Sequence, residues 1–517
     1  MCAWPDWMPQ FADTSLIKTD VCDVLMNGRG LIYIRNMTEL MQRALYSLSQ
    51  HVQTYLHEEH IITRPGASVG IWMSFLLPAA IILSTYSCHN VTELYKTAAT
   101  LSLGLLGTSV VFVTKPCNCK MYEYVLTIPP VFTYMLLYFY NGIGVWFSIA
   151  GGFASYSCSE AVILLLDVTP KCLTYGEASV LTQSLILFLF TTAINLVNTL
   201  HTVPMQCVDT ATVILQVGLF GVLLICAAAY MFPNFRKPMP FYALTLAMVF
   251  GFVVPFLHIL LQASPVLWIL QLLVANMPRI WLVIYWVVCS GLAVLAVNVQ
   301  IQGQQQASTV IRKYFHILAV AVFIPGLIRE CCFLYLASGV VLALITALEL
   351  LRVIRMPPLG EVLQAGFTVY ADEKDAGTLA LTPIYLLAGC SLPLWLYPSI
   401  CLEEIYAGQH LLPLMSGLLT VGIGDTAASV FGTWIGKTKW EGTKKTKEGT
   451  FASIICQMIL ILMLVYLGHM PCSGVVLIRS LFAVTVTSVL EAKTDQVDNL
   501  ALPLVMYMLL LPFPRTI

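Results

Sequence analysis

The chain has 517 residues, 58% of them hydrophobic and only 10% charged, with a mean hydropathy of +0.83. A soluble domain carries about 25% charged residues, so this surface could not be solvated as a conventional globule. Apolar stretches of roughly 18 to 23 residues recur along the whole chain, each able to cross a hydrocarbon core about 30 Å thick. That spread excludes a soluble enzyme with a single anchor. The formal net charge of −1 offers no basic field for nucleic acid.

In chain order, residues 1–66 are the most polar stretch and lack the basic start and early apolar core of a cleavable signal peptide. The first span is then expected to act as the internal targeting signal. His57-Glu58-Glu59-His60 does not have the HExxH spacing of a metalloprotease and reads as a solvated helix end. Sequons stand at Asn36 and Asn90. Crossing parity in this half leaves their side of the membrane open.

Candidate spans follow near 69–87, 97–114, 124–141, 143–166, 179–200, 210–231, 241–262, 265–299 (one long or two short), 314–328, 333–351, 382–399, 411–435, 451–469, 473–490 and 500–513. The expected fold is an all-α polytopic membrane protein with about 13–15 transmembrane helices, because lipid leaves backbone groups no partner but their own helix. The runs are continuously apolar, without the alternation of a membrane β-barrel. Residues 67–300 form an N-terminal helical region, a possible lipid groove or scaffold, and 301–517 a C-terminal region that carries the chemistry. Sixteen cysteines are present, most of them single within apolar runs, where the thiol behaves as a small hydrophobe. Cys117-Asn-Cys119 and Cys331-Cys332 lack zinc or redox spacing and read as structural.

Alternating the crossings from 314 onward places 302–313, 352–381, 436–450 and 491–499 on one side. These four loops hold Arg312, Lys313, Arg352, Arg355, Lys374, Lys437, Lys439, Lys444, Lys445, Lys447 and Lys493, eleven basic residues against Arg329 and Arg515 opposite. The largest opposite loop carries Glu403 and Glu404. By the positive-inside rule the four loops are expected to be cytoplasmic.

The stretch Gly422-Ile-Gly-Asp425-Thr-Ala-Ala-Ser429-Val-Phe-Gly432 puts an acid among small residues at the close of a span. An intramembrane acid is costly and points to function, while a small-residue packing seam is the bland alternative. Ser429, four residues on, shares a helix face with Asp425. Next comes Gly436–Thr450, with five lysines, four threonines and three glycines. Glycines allow backbone N–H groups close to a polyphosphate, lysines neutralise its charge, and threonine hydroxyls serve phosphate or metal. Gly432-Thr-Trp-Ile-Gly436-Lys437-Thr438 imitates a Walker A loop but is one residue short between its glycines and follows a membrane helix, so a P-loop fold is rejected.

The third element, Glu491-Ala-Lys-Thr-Asp495-Gln-Val-Asp498-Asn499, would form one acidic face if helical. Such a face calls for a divalent cation or a lysine clamp, with Asn499 as a neutral oxygen ligand. Arg479, in mid-span, is expected to pair with one of these acids, a phosphate or an internal partner. Phosphate, metal and carboxylate groups at one interface suit phosphoryl transfer, which depends on positioning and charge neutralisation. The membrane setting points to a lipid hydroxyl as acceptor.

At these residues the sequence closely resembles the dolichol kinase branch of the polyprenol kinase family. The matches are Val421–Thr426, Ala428–Gly432, Gly442–Thr446, Glu448–Thr450, Glu491-Ala and Gln496–Leu500. Arg312-Lys313 with His316, Ile324–Gly326, Leu381-Thr382, Ile384–Leu387 and Gly389–Pro393 add to them. The resemblance covers about 310–510, with weak local matches such as Leu173–Glu177 further upstream. It implies a multi-pass enzyme of the endoplasmic reticulum membrane that transfers the γ-phosphoryl of CTP to dolichol with a divalent cation, Mg²⁺ or Ca²⁺. Dolichyl phosphate then serves N-glycosylation, O-mannosylation and GPI-anchor assembly.

The family's CTP-binding segment maps to Thr433, Trp434, Ile435, Gly436, Lys437, Thr438, Lys439, Trp440, Glu441, Gly442, Thr443, Lys444, Lys445, Thr446, Lys447 and Glu448. One local departure is Lys447, where some relatives are expected to carry an uncharged residue. Lys444 and Lys445 are expected to hold the triphosphate. Asp425 and Asp498, with Asn499 as an additional metal ligand, are expected to share metal binding and activation of the dolichol hydroxyl. Glu448 is expected to orient a lysine or cap the next helix. A CTP-dependent phospholipid cytidylyltransferase and an ion-coupled transporter are the competing readings.

Overall fold

The computed structural model describes residues 44–88, 91–114, 121–204, 206–303, 308–370, 375, 377–398 and 410–512. Cys117, Cys119, Lys374, Glu403, Glu404, Arg515 and both sequon asparagines, Asn36 and Asn90, lie outside the described residues. Among the described residues the chain is helical between short connectors, and the isolated bridge Lys439–Thr446 is the one β-type pairing. Helix α1 spans 44–58 and leaves His57, Glu58, Glu59 and His60 exposed at its end, as expected of a solvated terminus.

The N-terminal region continues with α2 (Ile71–Ser87), α3 (Glu93–Val113), α4 (Tyr124–Tyr140), α5 (Val145–Val168), α6 (Tyr175–His201), α7 (Cys207–Met231) and α8 (Pro238–Leu261). The apolar run 265–299 resolves into two helices, α9 (Pro265–Val274) and α10 (Met277–Gln302). The break falls at Asn276, whose side chain caps α10 by accepting from Arg279 N at 2.9 Å.

The C-terminal region comprises α11 (Thr309–Arg329), α12 (Cys331–Val353), α13 (Gly360–Tyr370), α14 (Leu381–Leu396), α15 (411–434), α16 (Lys447–Tyr466), α17 (Gly474–Lys493) and α18 (Asp498–Leu510). Ten helices of the described chain are long and apolar enough to cross a membrane, and five shorter apolar helices accompany them. The protein is an all-α, multi-pass membrane protein. Large apolar side chains on α8 and α10, among them Phe250, Trp281, Val287 and Val294, face outward, as lipid contact requires.

Two ends of the bundle can be told apart by what gathers there. At one end the disulfide Cys207–Cys332 joins the starts of α7 and α12, and Arg279 pairs with Glu330 at 2.6 Å. Cys332 thus has the structural role read from its sequence, here as half of a disulfide. Nothing in its local spacing signals a partner 125 residues away.

Arg479 belongs to this end, near the start of α17, where its Nη1 donates to the Leu511 carbonyl at 2.9 Å at the end of α18. The expected pairing of Arg479 with the acids of 491–498 is thereby overturned. Twelve residues of helix, about 18 Å, separate it from Glu491. The other end gathers the segments 62–70, 169–177, 435–446 and 491–499.

α15 is the irregular helix of the bundle. A π-helical turn over Leu418–Gly424 precedes the α-helical Asp425–Trp434, a break of the kind that recurs at functional sites. Here Gly422 lies so close to Val320 of α11 that a side chain would collide.

Candidate functional site

α15 and α16 cross through glycines. A Cβ on Gly449 would stand 2.6 Å from the Ala428 carbonyl, and one on Gly432 would stand 2.9 Å from Thr446 Oγ1. The start of α16 is therefore level with Ala428, and the last turns of α15 project beyond it. This crossing corrects the expectation that the loop glycines serve phosphate approach. Gly432, Gly436 and Gly449 are consumed by helix packing, and among the glycines of 436–450 Gly442 alone, with φ +73°, serves a turn. It agrees with the rejection of a Walker A loop, since Gly432 lies within α15 and a Cβ on Gly436 would stand 2.2 Å from the Gly432 carbonyl.

The segment between the helices folds into a small hairpin. Trp440 N donates to the Lys445 carbonyl at 2.9 Å, and Lys447 N donates to the Thr438 carbonyl at 2.8 Å. Thr446 caps α16, accepting from Gly449 N at 3.2 Å. Both Glu448 oxygens accept from Thr438 N, at 3.0 and 3.1 Å. Glu448 thus pins the base of the hairpin, and its carboxylate also accepts from its own N–H in the first turn of α16. The Trp440 indole donates to Thr450 Oγ1 at 3.0 Å, and the Lys447 and Lys493 ammonium groups each lie 5.5 Å from its ring centre.

This anchoring turns the two adjacent lysines to different surroundings. Lys444 is exposed, together with Lys437, Lys439 and Lys447. Lys445 points under the hairpin, donating to the Glu491 carbonyl at 2.6 Å and to Glu491 Oε1 at 2.9 Å, with Asp498 Oδ2 at 3.9 Å. Burial alone would lower its pKa, but the carboxylates of Glu491, Asp498 and Asp425 outweigh it and hold the ammonium above the usual lysine range. Asp425 is buried and is answered from α11, not by Ser429. It pairs with the Lys313 ammonium, and His316 Nε2 stands 3.3 Å from its Oδ2. Lys313 and His316 carry the resemblance in sequence, yet their spacing alone gave them no role.

The acidic face is corrected as well. α17 ends at Lys493 and α18 begins at Asp498, so Glu491, Asp495 and Asp498 do not share one helix. Asp495 turns away and accepts from Ser68 N at 2.7 Å and Ser68 Oγ at 2.9 Å. Among the described residues no group of three or more His, Cys, Asp or Glu converges as a ready-made metal site. What remains is a pair of carboxylates, Glu491 and Asp498, clamped by Lys445, with Asp425 close enough to act on the same ammonium. Asn499, next to Asp498, buries its Oδ1 without a hydrogen-bond partner.

Residues outside the expected set also reach this end. Arg64, within the stretch expected to be a polar N-terminal segment, is buried and pairs with the fully buried Glu177 at 2.6 Å. The available sequence signal was the weak local match at Leu173–Glu177.

Known proteins match a large part of the chain. The family model for dolichol kinase matches residues 160–456. The chain is 38% identical to dolichol kinase of Homo sapiens over 364 residues, 68% of this chain and 67% of that protein. It is 36% identical to dolichol kinase EVAN of Arabidopsis thaliana over 252 residues, 48% and 43% of the two chains. With dolichol kinase of Saccharomyces cerevisiae the identity is 27% over 276 residues, 52% and 50%. No solved structure matches the chain. The family match begins some 150 residues earlier than the 310–510 of the sequence resemblance, taking in Glu177, and it ends before Glu491. The chain belongs to the dolichol kinase family.

Proposed function

We propose that the chain transfers the γ-phosphoryl group of CTP to the terminal hydroxyl of dolichol at the cytoplasmic face of the endoplasmic reticulum membrane, supplying dolichyl phosphate for glycosylation. The observation that carries this reading is the Lys445 clamp. It brings the basic hairpin onto Glu491 and Asp498, at the end of the bundle where Asp425 is buried. Phosphoryl transfer asks for little more than such positioning and charge neutralisation.

The residues fit a divalent cation. Mg²⁺ is commonly held by one or two carboxylates together with substrate phosphates, so a full protein cage is not required. Asp498 and Asp425 provide hard oxygen donors, and the buried, unpartnered Asn499 Oδ1 is a neutral one. Such a cation neutralises charge on the β- and γ-phosphates. Lys444, with Lys437 and Lys439 on the exposed side of the hairpin, binds the triphosphate. Lys445 keeps the hairpin seated and offsets the carboxylates.

In the transfer, a bond forms between the dolichol oxygen and the γ-phosphorus while the bond from that phosphorus to the β,γ-bridging oxygen breaks. CDP departs with the electron pair, and the hydroxyl proton passes to a carboxylate. Asp425 and Asp498 divide cation binding and hydroxyl activation between them, with Lys313 and His316 holding Asp425 in place.

Two separate observations support this orientation. The hairpin end carries the basic loops, while the opposite end carries a disulfide, which persists in an oxidising lumen. Purified protein given γ-labelled CTP and dolichol tests the reading. Label in the lipid is expected. Label in pyrophosphate would indicate a cytidylyltransferase, and absence of turnover would favour a transporter.

A further inference from the structure

The geometry points to Glu177 and Arg64 as positioning residues that hold the segment 494–497, and through it Asp498, in the working arrangement. Neither lies near the hairpin in sequence. Thr174 and Glu177 form a capping box at the start of α6, with Thr174 N donating to Glu177 Oε2 at 2.9 Å and Glu177 N to Thr174 Oγ1 at 3.3 Å. A cap needs only that oxygen. The other, Oε1, accepts from Arg64 Nη2 at 2.6 Å and from Val497 N at 3.0 Å. Val497 is the residue preceding α18 and its side chain cannot cap, so Glu177 supplies from a distant helix the acceptor that the start of α18 lacks.

Three more ties fix the same segment. Arg64 Nη2 reaches the Asp495 carbonyl at 3.3 Å, and Thr174 Oγ1 donates to Gln496 Oε1 at 2.7 Å. Gln496 Nε2 donates to the Ser68 carbonyl at 2.9 Å. Gly70, with φ +69°, packs so closely on Gln496 that a side chain there would displace it.

Arg64 and Glu177 are 5% and 0% exposed. A buried ion pair stabilises little beyond an apolar pair, and its best-attested use is to fix one arrangement among several. Here the arrangement fixed is a four-residue connector, 494–497, between two membrane helices, immediately followed by Asp498 and Asn499. Without these ties the connector would be free to move, and Asp498 with it.

This inference rests on Asp498 belonging to the phosphoryl-transfer site. The test uses the full-length protein with Glu177→Gln and, because that change leaves Arg64 buried without a counter-charge, the charge-neutral double variant Arg64→Met/Glu177→Leu as the second. Asp498→Asn is measured in parallel. For both tie variants the expected result is a fall in kcat of about 10- to 100-fold, the scale of an ångström's misplacement, with KM for CTP within about twofold of the parent. The cation concentration giving half-maximal rate should rise severalfold, and amide exchange across 491–500 should quicken in protein without cation.

A parental kcat and cation dependence in the double variant, with Asp498→Asn inactive, would overturn the positioning role and leave the site reading standing. Full turnover in Asp498→Asn would overturn both. If Glu177→Gln does not fold, the double variant decides alone. Loss of folded protein with unchanged turnover per folded molecule would reduce the ties to a stabilising role and contradict the inference.

Discussion

Lys445 is the side chain on which the site turns, and its environment sets what pH can do to it. Its ammonium is surrounded by Glu491, Asp498 and Asp425, which keep it protonated above the usual lysine range. A group with a raised folded pKa contributes stability that is fully present below its unfolded value, about 10.4, and is lost only as pH climbs through the folded one. We therefore predict that Lys445→Met destabilises the detergent-solubilised protein by about 1–3 kcal/mol. That is less than the ~3–5 kcal/mol for breaking a fully buried pair, because the Lys445 side chain is 37% exposed. The difference in stability should stay constant from about pH 6 to about pH 10. A difference that shrinks between neutral and mildly alkaline pH would show that the clamp is not as described. Lys444, its exposed neighbour, should tolerate Met with little change in stability and lose turnover instead, which separates the two lysines in one pair of measurements.

Among the elements, most helices were legible in the sequence and the connectors were not. Spans such as 179–200 and 451–469 announce themselves by continuous apolar length, since a helix in lipid needs no further partner. The acidic face was misread because helical periodicity was carried through 494–497, where hydrogen bonds from Ser68, Thr174, Arg64 and Glu177 override it. No local pattern encodes partners more than 300 residues away. Asp425 was visible as an acid in an apolar run, but its answering Lys313 and His316 became visible only once α11 lay against α15.

The loop glycines show the same limit. Their density suggested phosphate binding, whereas Gly449 and Gly432 let α15 and α16 cross. Gly449→Ala would put a methyl 2.6 Å from the Ala428 carbonyl, which the helices cannot absorb without parting. A cost of about 1–3 kcal/mol is expected from such overpacking, with a loss of turnover as the hairpin lifts from Glu491. Thermal unfolding of the solubilised variant measures the first and the labelled-CTP assay the second. An unchanged midpoint would mean that the crossing is looser than the geometry indicates.

At the scale of the molecule, the chain joins its two regions at the site end. The N-terminal region supplies Arg64, Ser68, Thr174 and Glu177, and the C-terminal region supplies the hairpin and the carboxylates. The N-terminal helices are thus part of the site's frame as well as lipid-facing structure. In the orientation proposed above, the disulfide end faces the lumen and the basic loops face the cytoplasm. In sealed vesicles with the cytoplasmic face outward, Lys439→Cys should react with an impermeant maleimide. Cys207 and Cys332 should remain protected after reduction until detergent is added. Labelling in the reverse pattern would invert the topology and place the hairpin on the wrong side for a cytoplasmic nucleotide.

The hairpin and the acidic pair beneath it are proposed to carry phosphoryl transfer together. The most direct measurement follows label from γ-labelled CTP into dolichol for the parent, Lys444→Ala and Asp498→Ala, each purified and shown to insert in the membrane. The parent should label the lipid, and both variants should lose nearly all of that activity while remaining inserted and folded. Lipid labelling at the parental rate by either variant would contradict the assignment.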